Sequence, residues 1–325
     1  MKWTVREDVF PLAEVFTISR GSRTEARVVT VEIESGGYKG WGECVPYPRY
    51  GESVDSVIAE IETFLAANPE HRRKGLQVAM APGAARFALD AAFWDLEAKA
   101  LGKRVWEMAG LTEPRPEITA YTLSLAEPAS MEAKAAENAH RPLLKIKLGG
   151  GAEDMERLRA VRRGAPNAKI IVDANEGWTV ELYRDIAPVL LELGVAMVEQ
   201  PLPADDDDAL KGIDRPLPVC ADESVHDTAS LPKLAGKYDM INIKLDKTGG
   251  LTEALRLKQA AEAAGYQIMV GCMVGSSLSM APATLVAQGA AFTDLDGPLL
   301  LAEDRAHPLT FDEAGVHPPA RDLWG

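Results

Sequence analysis

Lys147, Asp173, Glu199, Asp222 and Lys244 stand at intervals of 26, 26, 23 and 22 residues, and Gly271 and Asp294 continue the series at 27 and 23. Three carboxylates with no histidine or thiolate in step with them form an all-oxygen donor set. Such a set suits Mg2+, with Mn2+ as its substitute, better than zinc. A lysine at either end adds two groups that can move protons. Singly, a strand lysine is ordinarily a solvated edge residue and an aspartate ordinarily a helix N-cap. Five at one spacing need a common cause.

The spacing is about the length of a strand, a helix and their loops, which predicts a barrel of parallel strands. From Ile118 onward, short β-type runs alternate with longer helical ones: ITAYTLS, LLKIKLG, KIIVDAN, VAMVEQP, PVCADES, MINIKLD, QIMVGC and a last weak strand near Phe292 to Asp296. Side chains alternate along a strand. With Ile146 and Leu148 under the helices, Lys145 and Lys147 face the barrel interior. The same test turns Asn242, Lys244 and Asp246 inward, together with Asp173, Asn175, Glu199 and Asp222. Each lies near a strand's carboxyl end, where these barrels keep their active sites.

With ITAYTLS as the first strand, Lys147 is on the second and Lys244 on the sixth, so they occupy opposite walls of a ring of eight. The three carboxylates fill the strands between. A carboxylate substrate held at the metal would present its α-carbon to one lysine on each face. One lysine removes a proton and the other returns it, while the metal stabilises the enolate. Lys145 beside Lys147, with the metal's charge, is expected to lower the lysine pKa and give a neutral base.

Upstream, residues 1 to about 45 alternate through Val28, Val29, Val31 and Ile33, then turn at Gly36-Gly37 before Tyr38 to Trp41, predicting hairpin-connected antiparallel strands. Two helices are expected, near Val54 to Leu65 and Pro82 to Ala100, the second with Phe87, Ala91, Trp94 and Ala98 at helical spacing. The Pro-rich LTEPRPE reads as a linker. The expected architecture is α/β: an α+β capping domain over residues 1–115, a modified TIM barrel, (β/α)7β, over 116–299, and a C-terminal segment, 300–325, whose return to the cap is left open.

A chain of 325 residues, 46% hydrophobic, can bury one large core and a smaller second one. Its 35 basic and 49 acidic residues give a net charge of −14, which repels nucleic acid and anionic lipid. Cys44, Cys220 and Cys272 are odd in number and scattered, forming neither a disulfide framework nor a metal knuckle. The N-terminus has no apolar signal region, and the chain reads as cytoplasmic. No nucleic-acid or membrane partner is expected, and homo-oligomers are left open.

KIK, DAN, EQP, ADES and IKLDKTGG, in this order, resemble the muconate-lactonizing subgroup of the enolase superfamily, and the resemblance covers nearly the whole chain. It implies Lys147 and Lys244 as the acid/base pair and Asp173, Glu199 and Asp222 as Mg2+ ligands; Asn175 and Asp246, inward by strand phase, are expected to support them. The subgroup shares these residues among cycloisomerases, o-succinylbenzoate synthases, N-acylamino-acid racemases and dipeptide epimerases. Asp294-Leu-Asp296 narrows the choice, since two carboxylates facing one way need a cation that a substrate ammonium would supply. This element is similar to the one with which dipeptide epimerases hold an N-terminal amine. The stretches Arg20–Arg27 and Ala120–Ser124, with Thr122, are similar to those of L-Ala-D/L-Glu epimerases. The expected reaction is therefore epimerisation of the second residue of an L-Ala dipeptide, with L-Ala-D-Glu from cell-wall peptide favoured. An N-acylamino-acid racemase or a lyase on the same fold is the alternative, and a non-catalytic binding protein is the rival of a different class.

Substrate side-chain choice is expected from the cap, where Arg23, with Arg20 as rival, would take a glutamate carboxylate bidentately. The loop Tyr47 to Gly51 is expected to close over the site. Lys145 and Cys272 are expected to line the substrate pocket. The run Asp205 to Asp208 reads as a solvated helix start, Gly249-Gly250 as close packing of a helix on its strand, and the five histidines as surface or helix-end residues.

Overall fold

The computed structural model describes residues 1–67 and 73–325, so the expectation for His71 lies outside the described residues. Three antiparallel strands open the chain: β1 (Lys2–Ile18), β2 (Gly21–Ser35) and β3 (Tyr38–Cys44). The β1–β2 register runs from Lys2 opposite Glu34 and slips between Pro11 and Phe16. Val29, Val31 and Ile33 face the helix layer of α1 (Val54–Ala67), α2 (Arg73–Ala79) and α3 (Ala84–Leu101), and all three are fully buried. Val28 and Thr30, of opposite phase, are also fully buried, because that face packs on the barrel mouth and the C-terminal segment. The strand is therefore covered on both sides, which its weak polar alternation already implies. At β3, a Cβ on Gly40 or Gly42 would meet the carbonyl oxygens of Ala92 and Ala88 at 2.1 and 2.0 Å. Only glycine lets α3 lie directly on that strand.

Eight parallel strands follow: β4 (Tyr121–Leu123), β5 (Leu143–Lys147), β6 (Lys169–Asp173), β7 (Val195–Glu199), β8 (Val219–Ala221), β9 (Met240–Ile243), β10 (Gln267–Gly271) and β11 (Phe292–Asp294). They neighbour one another in sequence order, and a parallel bridge from Thr119 to Thr293 joins the last to the first. The cap and barrel arrangement is the expected α/β fold. Outward Ile146, Val172 and Ile243 join the layer under the helices. Inward Ala120, Leu143, Ile171, Met197, Cys220, Met240 and Met269 plug the barrel floor.

The ring of helices departs from expectation after β7, where the turns Ala204–Asp206 and Asp208–Gly212 are 3-10 segments. Pro201 and Pro203 and a run of four aspartates cannot propagate an α-helix. Nor is that run wholly solvated: Asp207 is buried and accepts from Lys237, Tyr238 and Ser224. The C-terminal segment lies against the cap. Leu301 bridges Leu12, Trp324 Nε1 donates to the Ala91 carbonyl at 3.0 Å, and Gly325 N donates to Asp95 at 2.7 Å.

Candidate active site

Asp173 ends β6 and Glu199 ends β7, while Asp222 stands one residue beyond β8. Each offers an oxygen lying within 4.8 Å of the others, and none is more than 2% exposed. Around this trio the polar contacts come from outside it. Lys147 Nζ donates to Asp173 at 2.6 Å, Asn242 to Glu199 Oε1 at 2.6 Å, and Lys244 and Lys247 to Asp222 at 2.7 and 2.5 Å. Burial works to protonate Asp222, but Lys244 and Lys247 hold its carboxyl well below the usual range. Glu199 goes the other way, pushed up to about 7 by burial and by the charge of Asp173. Three buried carboxylates whose mutual repulsion is only partly offset, with hard oxygens facing one point, fit a divalent cation.

Lys147 and Lys244 lie four strands apart, and both line one cavity. The barrel mouth thus brings together the two lysines and the three carboxylates that the strand phase selects. Lys145, expected to depress its neighbour's pKa, is itself neutralised. Its ammonium lies 3.2 Å from Asp173, 2.6 Å from Glu199 and 2.7 Å from Asp294. Despite burial, those carboxylates hold its pKa well above the ordinary lysine value. In the protein alone Lys244 is likewise raised, by Asp222 and Glu199 against burial; a divalent cation on those carboxylates would work in the opposite direction.

Asp294 and Asp296 line the same cavity, with Asp294 joined to the trio through Lys145. The strand ends at Asp294, so strand alternation does not orient Asp296. Its Oδ2 is held instead by the Thr122 backbone N–H at 2.6 Å. Nor does Asp294 await a cation, since Lys145 supplies one. What remains is one unpartnered oxygen, Asp294 Oδ1, beside Asp296, whose carboxyl burial and Asp294 push up to about 7. Thr122 and Cys272 line the same cavity. Cys272, the partly accessible one of three free cysteines, has no histidine among its hydrogen-bond partners.

From the cap, Phe16, Ile18, Arg20, Arg23, Tyr47 and Tyr50 complete the wall. β2 begins at Gly21, so Arg20 is at the hairpin tip and Arg23 within the strand. The Arg23 guanidinium stands 5.8 Å from the Tyr47 ring centroid and has no carboxylate partner among the described residues. The loop after β3 is fixed by Arg49, which binds Glu176 through two hydrogen bonds of 2.9 Å.

Two expected supporting residues part company. Asn175 donates its backbone N–H to Asp173 at 2.9 Å. Asp246, by contrast, has left the barrel interior, because β9 ends at Ile243 and the helix Leu245–Thr248 begins. It accepts from Val45 N at 2.7 Å at the seam with the cap. Gly249 and Gly250 give close packing, but against α3: a Cβ would meet Arg86 at 2.4 Å and Asp90 at 2.5 Å. His226, half-buried just before the turn Thr228–Ser230, has its ring 4.7 Å from that of Tyr50.

Sequence reasoning passed over Glu223, Lys247 and Gln200. Glu223 and Lys247 stand beside assigned residues in ADES and IKLDKTGG but lie past the ends of β8 and β9, where alternation says nothing. Gln200, in the left-handed region at φ 33, accepts from the Asp222 and Ser224 N–H groups and so aims the Asp222 loop.

The chain matches the Mandelate racemase / muconate lactonizing enzyme, N-terminal domain family over residues 1–110 and the Enolase C-terminal domain-like family over residues 129–321. It is 46% identical over 316 residues to the L-Ala-D/L-Glu epimerase of Escherichia coli (strain K12), covering 96% of this chain and 98% of that one. The N-acetyl-D-glutamate racemase of a Pseudoalteromonas species is 42% identical over 301 residues, covering 92% and 95%. A solved structure of an enolase family member from Agrobacterium tumefaciens with homology to dipeptide epimerases, holding sodium and L-Ala-L-Glu with an ordered loop, is 55% identical. It superposes with a TM-score of 0.97, covering 99% of both chains.

Proposed function

This chain belongs to the enolase superfamily, and from that premise we propose that it is a metal-dependent dipeptide epimerase inverting the second residue of L-Ala-L-Glu and L-Ala-D-Glu. The observation that carries this reading is one cavity lined by a lysine on each of two opposite walls and by the carboxylate pair Asp294 and Asp296. Asp173, Glu199 and Asp222 would hold Mg2+, which when bound neutralises the substrate carboxylate and the charge that grows on it as the α-proton leaves. Lys147 and Lys244 donate to Asp173 and Asp222, so a carboxylate seated between those residues has a lysine on either side of its α-carbon. One lysine takes the proton, the other supplies one from the opposite face, and the centre inverts. Asp294 Oδ1 and Asp296 receive the substrate ammonium. Arg23, free of carboxylate partners, receives the glutamate side chain bidentately. Cytoplasmic turnover of cell-wall peptide is the physiological setting this substrate implies.

A second reading, N-acylamino-acid racemisation, is favoured by likeness to the Pseudoalteromonas enzyme and by Lys145 already pairing with Asp294. The two separate in D2O. With Mg2+, the epimerase reading predicts deuterium at the second α-carbon of L-Ala-L-Glu far faster than at that of N-acetyl-L-glutamate. The reverse preference would replace dipeptide epimerase by racemase.

A further inference from the structure

We propose that Arg20 is a positioning residue for the metal-binding loops, tying the tip of the β1–β2 hairpin to the segments that follow Asp173 and Asp222. The inference rests on reading Asp173, Glu199 and Asp222 as metal ligands. A guanidinium has four terminal N–H groups, and those of Arg20 are all engaged within the protein. One nitrogen donates to the Asn175 carbonyl at 2.8 Å and to Glu176 at 3.3 Å. The other donates to Tyr47 Oη at 3.0 Å and to Glu223 at 2.8 Å. Nothing is left for bidentate capture of a substrate carboxylate, which Arg23 is free to make.

The acceptors define what Arg20 does. Asn175 and Glu176 follow Asp173 by two and three residues, and Glu223 follows Asp222 directly. Ser19 Oγ adds a second bond to the Asn175 carbonyl at 3.1 Å, and the N–H of that residue holds Asp173 Oδ1. A continuous chain of hydrogen bonds thus runs from the hairpin tip to a carboxylate of the trio. The segment it grips is costly to form, with Asn175 and Glu176 in the left-handed region at φ 45 and 66. Such conformations persist where surrounding contacts over-determine them. Arg49, from the second cap loop, clamps the same Glu176, whose Oε1 also accepts from Ala204 N at 2.8 Å. Outer groups that orient a ligand typically alter metal affinity by about 10–100-fold when removed.

The test is Mg2+ binding to the stripped protein by titration calorimetry, alongside the kcat/KM ratio of L-Ala-L-Glu to L-Ala-L-Gln. Arg20→Met should weaken Mg2+ binding by about tenfold or more and keep the Glu/Gln ratio. Ser19→Ala should weaken it less, in the same direction. Arg23→Met should collapse the ratio and leave Mg2+ affinity alone. Wild-type Mg2+ affinity in Arg20→Met, or a collapsed ratio in it, overturns the proposal. Should Arg20→Met not fold, unchanged affinity in Ser19→Ala overturns it. A wild type that binds no Mg2+ removes the metal reading itself, a result distinct from either.

Discussion

Asp296 concentrates the chemistry of recognition in one carboxyl group. Burial and Asp294 push it up to about 7, so below that pH it is mostly protonated and offers an ammonium no charge. The kcat/KM for L-Ala-L-Glu should therefore rise as pH climbs through about 7. Asp296→Asn should erase that rise and lower kcat/KM by about 10–100-fold, since a hydrogen bond to a charged group contributes about 1.5–3 kcal/mol. N-acetyl-L-glutamate, lacking the ammonium, should lose little. A rise that persists in Asp296→Asn assigns the titration elsewhere. What could be read in advance at this scale was phase. Alternation of two selects Lys145, Lys147, Asp173 and Glu199 because each stands inside a strand. It cannot place Asp246 or Lys247, because the chain turns into a helix at Leu245, and it is silent on Glu223, which lies in a turn past the end of β8. Charge balance was also hidden: only the fold reveals that Lys145 meets three carboxylates from three strands.

At the scale of elements, the seam between cap and barrel depends on absent side chains. Gly250, at φ 113, lies against Asp90 of α3. Gly250→Ala should destabilise the protein by at least about 1–3 kcal/mol, the usual cost of overpacking, read as a lower urea midpoint. Unchanged stability would mean α3 can retreat from this contact. The 3-10 turns after β7 make a second case. Asp207→Ala removes the acceptor that Lys237, Tyr238 and Ser224 share, leaves Lys237 only the exposed Asp208 at 3.3 Å and should cost about 1–3 kcal/mol, whereas Asp206→Ala, in the same run, should cost little. Equal effects would restore the solvated reading of all four aspartates. The strands of this half of the barrel were legible from their β-branched runs. The missing helices were not, because proline and aspartate signal a helix start as readily as an irregular turn, and the half-buried Ser224 and buried Lys237 and Tyr238 that decide the matter lie far along the chain.

At the scale of the molecule, the cap and barrel meet over Asp246, whose carboxyl burial pushes up to about 8 while Val45 N–H tempers the shift. The unfolded chain ionises this group near its ordinary value of 3.8. Between about pH 4 and 8 the unfolded state therefore releases a proton the folded state keeps, and stability falls as pH rises through that window. Asp246→Asn, which preserves the acceptor for Val45, should match wild type near pH 4 and exceed it in thermal midpoint by pH 8. A difference independent of pH would refute this assignment. The largest feature, a ring of eight strands in sequence order, sets Lys147 and Lys244 four places apart, and inversion by two opposed bases rests on that separation. The most direct test follows α-proton exchange in D2O by proton NMR for L-Ala-L-Glu and L-Ala-D-Glu, in wild type, Lys147→Ala and Lys244→Ala. Each variant should lose exchange of one epimer by about 10²–10⁴-fold, the two losses falling on opposite epimers, and neither should interconvert them. Interconversion near the wild-type rate in either variant, or both losses on the same epimer, would contradict the two-lysine account.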